Sequence, residues 1–286
     1  MNKIAVVTDS NSGITQEEAK EKGIFVLSMP FIINDHEYFE GITLTQEEFY
    51  QKLADDAEVS TSQPSMEAVT KLWDSVLETY DEIIYIPMSS GLSGSCQTAM
   101  MLANDYDGKV KVVDNQRISV TQRNAVLDAL NMVQAGKTST EIYDVLMETK
   151  LDASIYVMVD TLKYLKKGGR LTPAVAALGT ILRIKPVLQI QGEKLDTYAK
   201  ARTLKQGIGI MLDAMKEDVE ARFENDLENI YFNVAHTNNR EGALELKEQI
   251  QEIYPGVEVY IGGLSLSVSC HIGPGCLAVA LAKKGK

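Results

Sequence analysis

Short apolar runs alternate with amphipathic helical segments through the first half of this 286-residue chain. Residues 4–7, 24–27, 83–86 and 110–113 have the length and composition of buried strands. Capping-box spacing at Thr15 and Thr45 marks helix starts. Strands separated by helices form βαβ units, and a hairpin is predicted around Asn34-Asp35. The first half therefore predicts a Rossmann-like α/β/α domain with a parallel sheet.

The pattern changes near residue 150. Residues 187–190 and 195–199 flank the turn Gln191-Gly192-Glu193, which indicates an antiparallel hairpin. Further strands are predicted at 155–159, 230–235, 257–261 and 277–281, with a long helix from 204 to about 223. We predict two α/β domains, residues 1–150 and residues 151–286. The second would contain a mixed or antiparallel sheet, and a ligand cleft is expected between the two.

Charge and cysteine usage exclude several classes of function. Forty acidic and 28 basic residues give a net charge of −12, which repels nucleic acid and anionic lipid surfaces. No apolar run approaches the ~18 residues of a membrane span, and the N-terminal run is too short for a signal sequence. Cys96, Cys270 and Cys276 form no C-x-x-C pair, so reduced thiols and a cytoplasmic location are expected. Three scattered histidines predict no metal site.

Two serine-rich turns precede predicted helices. They are Ser60-Thr61-Ser62-Gln63-Pro64-Ser65 and Ser89-Ser90-Gly91-Leu92-Ser93-Gly94-Ser95. Hydroxyls and backbone amides at a helix start suit a phosphate or a carboxylate. Simple N-capping by Ser62 or Ser65, or an ordinary serine-glycine connector, accounts for the same residues.

Two further polar turns lie in the second half. In Gly168-Gly169-Arg170-Leu171 the arginine can bind both oxygens of a carboxylate, although beside Lys166 and Lys167 the segment also fits a solvated basic turn. In Ser269-Cys270-His271-Ile272-Gly273-Pro274-Gly275 the neighbouring Gly-Pro-Gly would hold the histidine in place. A lone histidine such as His236 is more commonly a structural hydrogen-bonding group.

One nucleotide-binding pattern fails on inspection. Gly136-Lys137-Thr138 looks like the end of a P-loop, but position 131 is Asn instead of Gly. The segment also follows a predicted helix at 119–135 where a P-loop would precede one. The sequence gives no support for nucleotide binding by this chain.

A serine hydrolase is the main alternative function. Ser93 and His271, with Asp196 or Asp213 between them, follow the Ser…Asp…His order of α/β-hydrolases. However, the nucleophile elbow reads Gly91-Leu92-Ser93-Gly94-Ser95, with serine in place of the second glycine. Ser93 also lies well beyond the end of its strand.

Taken together, the motifs resemble those of the DegV family. Five segments carry the resemblance, in order along the whole chain: Thr8-Asp9-Ser10, Thr61-Ser62-Gln63-Pro64-Ser65, Ser89-Ser90-Gly91-Leu92-Ser93-Gly94, Gly168-Gly169-Arg170-Leu171 and His271-x-Gly273-Pro274-Gly275. Any one of them is weak, whereas five in register are specific.

The resemblance implies a long-chain fatty acid, hexadecanoate-like, buried between or within two α/β domains. It also implies the carrier role found in bacterial fatty acid kinase systems, the FakB type. There a separate ATP-binding kinase subunit, related to dihydroxyacetone kinases, phosphorylates the bound acid, and the acyl phosphate enters phospholipid synthesis. No autonomous catalysis and no cofactor of this chain are implied.

The family's head-group site carries over to six positions of this sequence: Thr61, Ser62, Ser93, Gly94, Arg170 and His271. Cys96 and Cys270 depart from the family pattern beside two of the motifs, so acyl-chain selectivity stays open, as does the oligomeric state. The small apolar residues of 173–182 are expected to form a helix, which either lines the tail tunnel or packs closely in an ordinary way.

Overall fold

The computed structural model describes residues 2–170, 172–178, 184–192 and 194–285. The chain divides into two compact units, one formed by Met1–Leu151 with Gly285–Lys286 and the other by Asp152–Lys284. The architecture is mixed α/β, as predicted.

The first unit contains seven named strands and six helices among its described residues. The strands are β1 (Ile4–Asp9), β2 (Phe25–Leu27), β3 (Pro30–Ile33), β4 (His36–Phe39), β5 (Val59–Thr61), β6 (Glu82–Ile86) and β7 (Val110–Val112). The helices are α1 (Gln16–Lys22), α2 (Gln46–Ala54), α3 (Met66–Leu77), α4 (Ser95–Ala103), α5 (Ser119–Gln134) and α6 (Ser139–Glu148). Strands β2-β1-β6-β7 form a parallel sheet, and β4-β3-β5 form a small antiparallel one.

The parallel sheet is covered on both faces because its strands are apolar at consecutive positions. In β1, Ile4 and Val6 pack in the cluster that contains residues of α1, α5 and α6. Ala5 and Val7 point the other way and pack with residues of α3 and α4, including the fully buried Trp73. This arrangement confirms the predicted α/β/α layering.

The second unit has a six-stranded mixed sheet in the order β10-β9-β8-β13-β11-β12. Its strands are β8 (Ala153–Met158), β9 (Lys185–Ile190), β10 (Leu195–Ala201), β11 (Ile230–His236), β12 (Val259–Gly263) and β13 (Leu277–Lys283). Its helices are α7 (Lys163–Gly168), α8 (Pro173–Leu178), α9 (Leu204–Ala221), α10 (Arg240–Ile253) and α11 (Leu266–Ile272). The β9–β10 hairpin and the closing strand β13, antiparallel to β8 and β11, confirm the predicted mixed sheet.

Two local predictions need correction. Thr138 caps helix α6, so the segment 136–138 does precede a helix, contrary to the expectation; it fails as a P-loop because it joins two helices instead of following a strand. Thr61 lies at the end of strand β5 and not in a turn, because residues 59–61 pair with β3. Three residues are too few for a periodic signal, and only the tertiary pairing makes them a strand.

Candidate functional site

The parallel sheet has a topological switch point between β1 and β6. After β1 the chain moves to β2 on one side, whereas β6 lies on the other side of β1 and continues to β7. The connections that leave the carboxyl ends of β1 and β6 therefore diverge and leave a crevice there, which is where α/β sheets bind ligands. Thr8-Asp9-Ser10 and residues 88–94, the serine loop, begin at this edge.

Three consecutive backbone N–H groups anchor the serine loop. Each donates to a different acceptor: Met88 to Asp9 Oδ2 (2.8 Å), Ser89 to the Arg117 carbonyl oxygen (2.8 Å) and Ser90 to Asp114 Oδ1 (3.1 Å). The next three N–H groups turn back onto Ser89, at its Oγ or its carbonyl oxygen. The amides of residues 88–93 are thus engaged within the protein, and the loop offers a ligand its hydroxyls instead.

The Ser93 hydroxyl lies at the start of helix α4. It donates to Ser95 Oγ (3.0 Å) and accepts from the Ser95 N–H (3.2 Å). This is a helix-start arrangement and differs from the hydrogen bond to a general base that activates a serine nucleophile. The serine hydrolase alternative is not supported.

The Thr61-Ser62 motif leads into helix α3. The cap of α3 is Ser65, whose Oγ accepts the Ala68 N–H at 3.1 Å, as the capping interpretation predicted for this residue. Thr61 is half-buried at the end of β5, and Ser62 is exposed. The helix cap therefore does not use either of the two residues that the family resemblance assigns to the head group.

Gln63 joins the two serine-rich segments. Its Oε1 accepts a hydrogen bond from Thr98 Oγ1 of α4 (3.2 Å). The same oxygen lies 3.5 Å from the position that a Cβ would occupy on Gly94. The fold thus places the Thr61-Ser62 segment beside the end of the serine loop, within the first unit.

Asp9 is a candidate functional residue that was not among the six residues predicted for the head-group site. It is completely buried at the end of β1 and is surrounded by donors: the Met88 and Asn11 N–H groups, the Asn11 side chain and Gln122 Nε2. Burial raises the pKa of its carboxyl to about 6, although these hydrogen bonds act in the opposite direction. An aspartate just beyond the apolar run 4–7, within Thr8-Asp9-Ser10, was the available signal in the sequence.

The segment that supplies Asp114 and Arg117 is strained. Gln116 and Ser119 both have positive φ, 57° and 56°, a conformation unfavourable for residues with a side chain. Asn115, which precedes Gln116, is fully buried, and neither polar atom of its side chain has a hydrogen-bond partner among the described residues. Unfavourable backbone conformations of this kind are concentrated at ligand-binding and active sites.

Helices α7 and α11 pack together in the second unit. The motif Gly168-Gly169-Arg170-Leu171 begins at the end of α7, and the His271 motif covers the end of α11. Both motifs were predicted as turns; instead Lys166, Lys167 and Gly168 lie in α7, and His271 lies in the last turn of α11. Turns were predicted because a glycine directly follows each short helix, Gly169 after α7 and Gly273 after α11. Leu171 of the first motif lies outside the described residues.

A glycine in each motif makes room for an aromatic ring from the other helix. A Cβ on Gly168 would lie 2.0 Å from His271 Nδ1, and a Cβ on Gly273 would lie 2.3 Å from Tyr164 Cδ2. Gly273 also has a φ of +75°. The two motifs, distant in sequence, therefore form one packed unit in which the imidazole lies against the end of α7.

Arg170 follows α7 and is exposed, and its Nη1 donates to the Gly168 carbonyl oxygen at 2.6 Å. Burial, with a smaller contribution from the positive charge of Arg170, lowers the pKa of His271 to about 4. His271 is therefore neutral at physiological pH, and Arg170 carries the charge of the pair. Lys166 and Lys167 are exposed in the last turn of α7.

The other histidines have structural partners. His236, at the end of β11, accepts the Asn239 N–H on Nδ1, and His36 Nδ1 contacts the Asn34 carbonyl oxygen. All three cysteines are buried thiols. In the part of the chain that the structure describes, no three side chains of metal-ligating type cluster together, and no helix has the length and apolar character to cross a membrane.

The described part of the predicted tail-lining helix is α8, in which Val175 is fully buried. Residues 179–182 of that prediction lie outside the described residues. The tail-lining role of the segment stays a prediction.

Comparison with known proteins places this two-unit α/β architecture in a defined class. The DegV family model matches residues 3–284. A DegV domain-containing protein of Streptococcus pneumoniae is 31% identical over 281 residues, which cover 97% of this chain and 98% of the relative. The chain belongs to the DegV family.

Solved structures agree with that assignment. A DegV family protein of Thermus thermophilus, described by its fatty acid binding, superposes with a TM-score of 0.90 at 28% identity, over 98% of this chain and 99% of that one. DegV of Bacillus subtilis, described as a fatty acid binding protein, gives 0.89 at 28% identity, over 99% and 100%.

The six residues predicted for the head-group site fall into two sets. Thr61, Ser62, Ser93 and Gly94 lie in neighbouring segments of the first unit. Arg170 and His271 lie at the α7–α11 contact of the second unit.

Proposed function

We propose that this protein binds a long-chain fatty acid and presents its carboxylate to a separate ATP-binding kinase subunit. The observation that carries the proposal is the whole-chain similarity to DegV proteins of known structure that are described as fatty acid binding. Within each unit, the residues predicted for the head-group site also lie in neighbouring segments. Formation of an acyl phosphate and its use in phospholipid synthesis extend the proposal beyond binding.

The separate roles of the tail and the head group in binding follow from the free energy of transferring CH₂ groups out of water. At ~0.8 kcal/mol per buried CH₂, a tail of about sixteen carbons contributes roughly 12 kcal/mol before the costs of association. The tail dominates affinity on this scale, and the polar contacts mainly fix the position of the carboxylate.

Neutral hydroxyls suit a carboxylate that has to react. In this proposal Thr61, Ser62 and Ser93 donate hydrogen bonds to the carboxylate, beside Gly94. These neutral donors leave the negative charge of the carboxylate in place. His271 is neutral and adds a hydrogen bond, whereas Arg170 supplies the positive charge that a phosphoryl group would meet. The chain itself then needs no cofactor and performs no catalysis alone.

The exposed cations near α7 are candidates for the contact with the kinase. Lys166, Lys167 and Arg170 are exposed, as is Arg202. On a protein with a net charge of −12, a local basic region orients a partner that carries nucleotide. We expect this encounter to take place in the cytoplasm, where buried thiols stay reduced.

Mass spectrometry of the purified protein tests the binding function. Denaturation should release a fatty acid of about 14–18 carbons in a near one-to-one ratio, because a buried tail of that size binds tightly enough to be retained during purification. Absence of lipid after gentle purification, together with no binding on titration with hexadecanoate, would refute the proposal.

The Ser93→Ala variant tests the head-group role. It should lose most of its phosphorylation by the kinase while it retains bound lipid, because the tail supplies the affinity. If the variant lost both, the division between tail and head group would be wrong.

A further inference from the structure

Two carboxylates hold the serine loop from opposite sides. Strand β6 leads into the loop, and its neighbours in the sheet are β1 and β7. Asp9 ends β1 and accepts the Met88 N–H at 2.8 Å, and Asp114 follows β7 and accepts the Ser90 N–H at 3.1 Å. The backbone of the loop is therefore tied to the strands on both sides of its own.

We propose that Asp9 and Asp114 are positioning residues for head-group recognition, because they hold the serine loop in the conformation that presents Ser93. This inference rests on the proposed fatty acid binding and adds to it the residues that prepare the site. A loop that is already ordered binds its ligand without a further loss of conformational freedom.

Only an acceptor-only side chain fits at position 9. Asp9 Oδ2 accepts from Met88, while Oδ1 accepts the Asn11 N–H at 3.0 Å and Gln122 Nε2 at 3.1 Å. An asparagine is isosteric, but its NH₂ group would face a donor in either orientation. Either orientation leaves at least one of these donors without an acceptor, so Asp9→Asn is expected to loosen the anchor of the serine loop.

Asp114 ties the loop to a second buried group. The Cys96 thiol of helix α4 hydrogen-bonds to the Asp114 carboxylate, which links the start of α4 to the same acceptor that holds Ser90. Asp114 is half-buried, so Asp114→Ala removes the acceptor with less danger of unfolding the protein than a change at the buried Asp9.

Amide hydrogen exchange of the purified protein tests the positioning without any ligand. In Asp9→Asn and Asp114→Ala, exchange across residues 88–93 should accelerate about tenfold or more, since a buried donor has lost its acceptor. Exchange in β13 should not change. Asp81→Asn is the matched control, because Asp81 accepts the Lys3 N–H (2.7 Å) at the opposite end of the same sheet.

Binding of tetradecanoic acid and of tetradecan-1-ol then separates positioning from general destabilisation. Both variants should bind the acid about tenfold more weakly and the alcohol within about twofold of wild type, because the tail contacts are unchanged. Equal losses for both ligands, or unchanged exchange in residues 88–93, would overturn the inference. If the wild-type protein bound neither ligand, the proposed function itself would fail, and this inference with it.

Discussion

Gly168 and His271 are in such close contact that a single added carbon would collide with the imidazole. A Cβ built on Gly168 lies 2.0 Å from His271 Nδ1, far inside any van der Waals separation. The glycine of one motif thus sets the position of the histidine of the other, although the two lie 103 positions apart in the sequence, at 168 and 271.

Gly168→Ala is expected to displace His271 and to weaken fatty acid binding. Forcing a methyl group into this contact should also cost about 1–3 kcal/mol of stability. The displacement is measurable as a shift of the His271 NMR resonances, and the binding by titration with hexadecanoate.

Gly169→Ala is the matched control for Gly168→Ala. Gly169 has a φ of +67° and no atom within 4 Å of an added Cβ, so alanine there costs only about 1 kcal/mol of backbone strain. The His271 resonances and the affinity should stay as in wild type. Equal effects of the two alanines would show that the contact with His271 does not matter.

The titration of His271 gives a second prediction. Because burial, with a contribution from Arg170, lowers its pKa from 6.5 to about 4, the unfolded state binds a proton more readily than the folded state. Neutral His271 therefore contributes stability that is fully present above pH 6.5 and is lost as the pH falls through 4, about 3 kcal/mol in all.

NMR titration of the imidazole Cε1–H measures this pKa directly, with a His271→Asn variant to assign the resonance. Arg170→Gln should raise the pKa, but it should stay below 6.5 because burial is the larger cause. A His271 that titrates at its ordinary value would contradict the buried environment described above.

Gly94→Ala probes how close the ligand comes to the start of α4. Gly94 has a φ of −69°, and an added Cβ makes only ordinary contact with Gln63 Oε1 at 3.5 Å. The free energy of unfolding of the variant should lie within about 0.5 kcal/mol of the wild-type value. Its affinity for hexadecanoate should fall, because the methyl group would take space beside the carboxylate.

Gly209→Ala controls for the general effect of alanine in a helix. Gly209 lies within α9 with no atom within 4 Å of an added Cβ, so alanine should stabilise the protein by about 1 kcal/mol without changing affinity. Wild-type affinity in Gly94→Ala would remove Gly94 from the head-group site.

Strain at Gln116 should be relieved by glycine. Gln116 has a φ of 57°, so Gln116→Gly is expected to raise the free energy of unfolding by up to about 1 kcal/mol. Glycine removes the cost of the left-handed conformation, and the greater conformational entropy of the unfolded chain offsets part of that gain. Urea denaturation measures the change. Gln249→Gly, within the regular helix α10, should instead lower stability by about 1 kcal/mol; a loss of stability in both would argue against strain at 116.

Much of the architecture follows from local patterns that a reader of the sequence can recognise. The apolar runs of β1 and β6 predict buried parallel strands, and Thr45 with Glu48 forms the capping box that its spacing indicates. These features depend on neighbours a few residues away, so periodicity and side-chain chemistry reveal them. The five motifs likewise identify the family from the sequence alone.

The roles of individual motif residues depend on contacts between distant segments. The surroundings of Asp9, with donors from Asn11 just after β1, from α5 and from the serine loop, exist only once these elements are packed together. The same holds for His271, whose position in a helix and whose low pKa come from burial against α7. Local sequence determined which strands, helices and motifs this chain contains, whereas tertiary structure decided which hydrogen-bonding groups are desolvated and which partners they meet, because burial and long-range contact are properties of the folded chain.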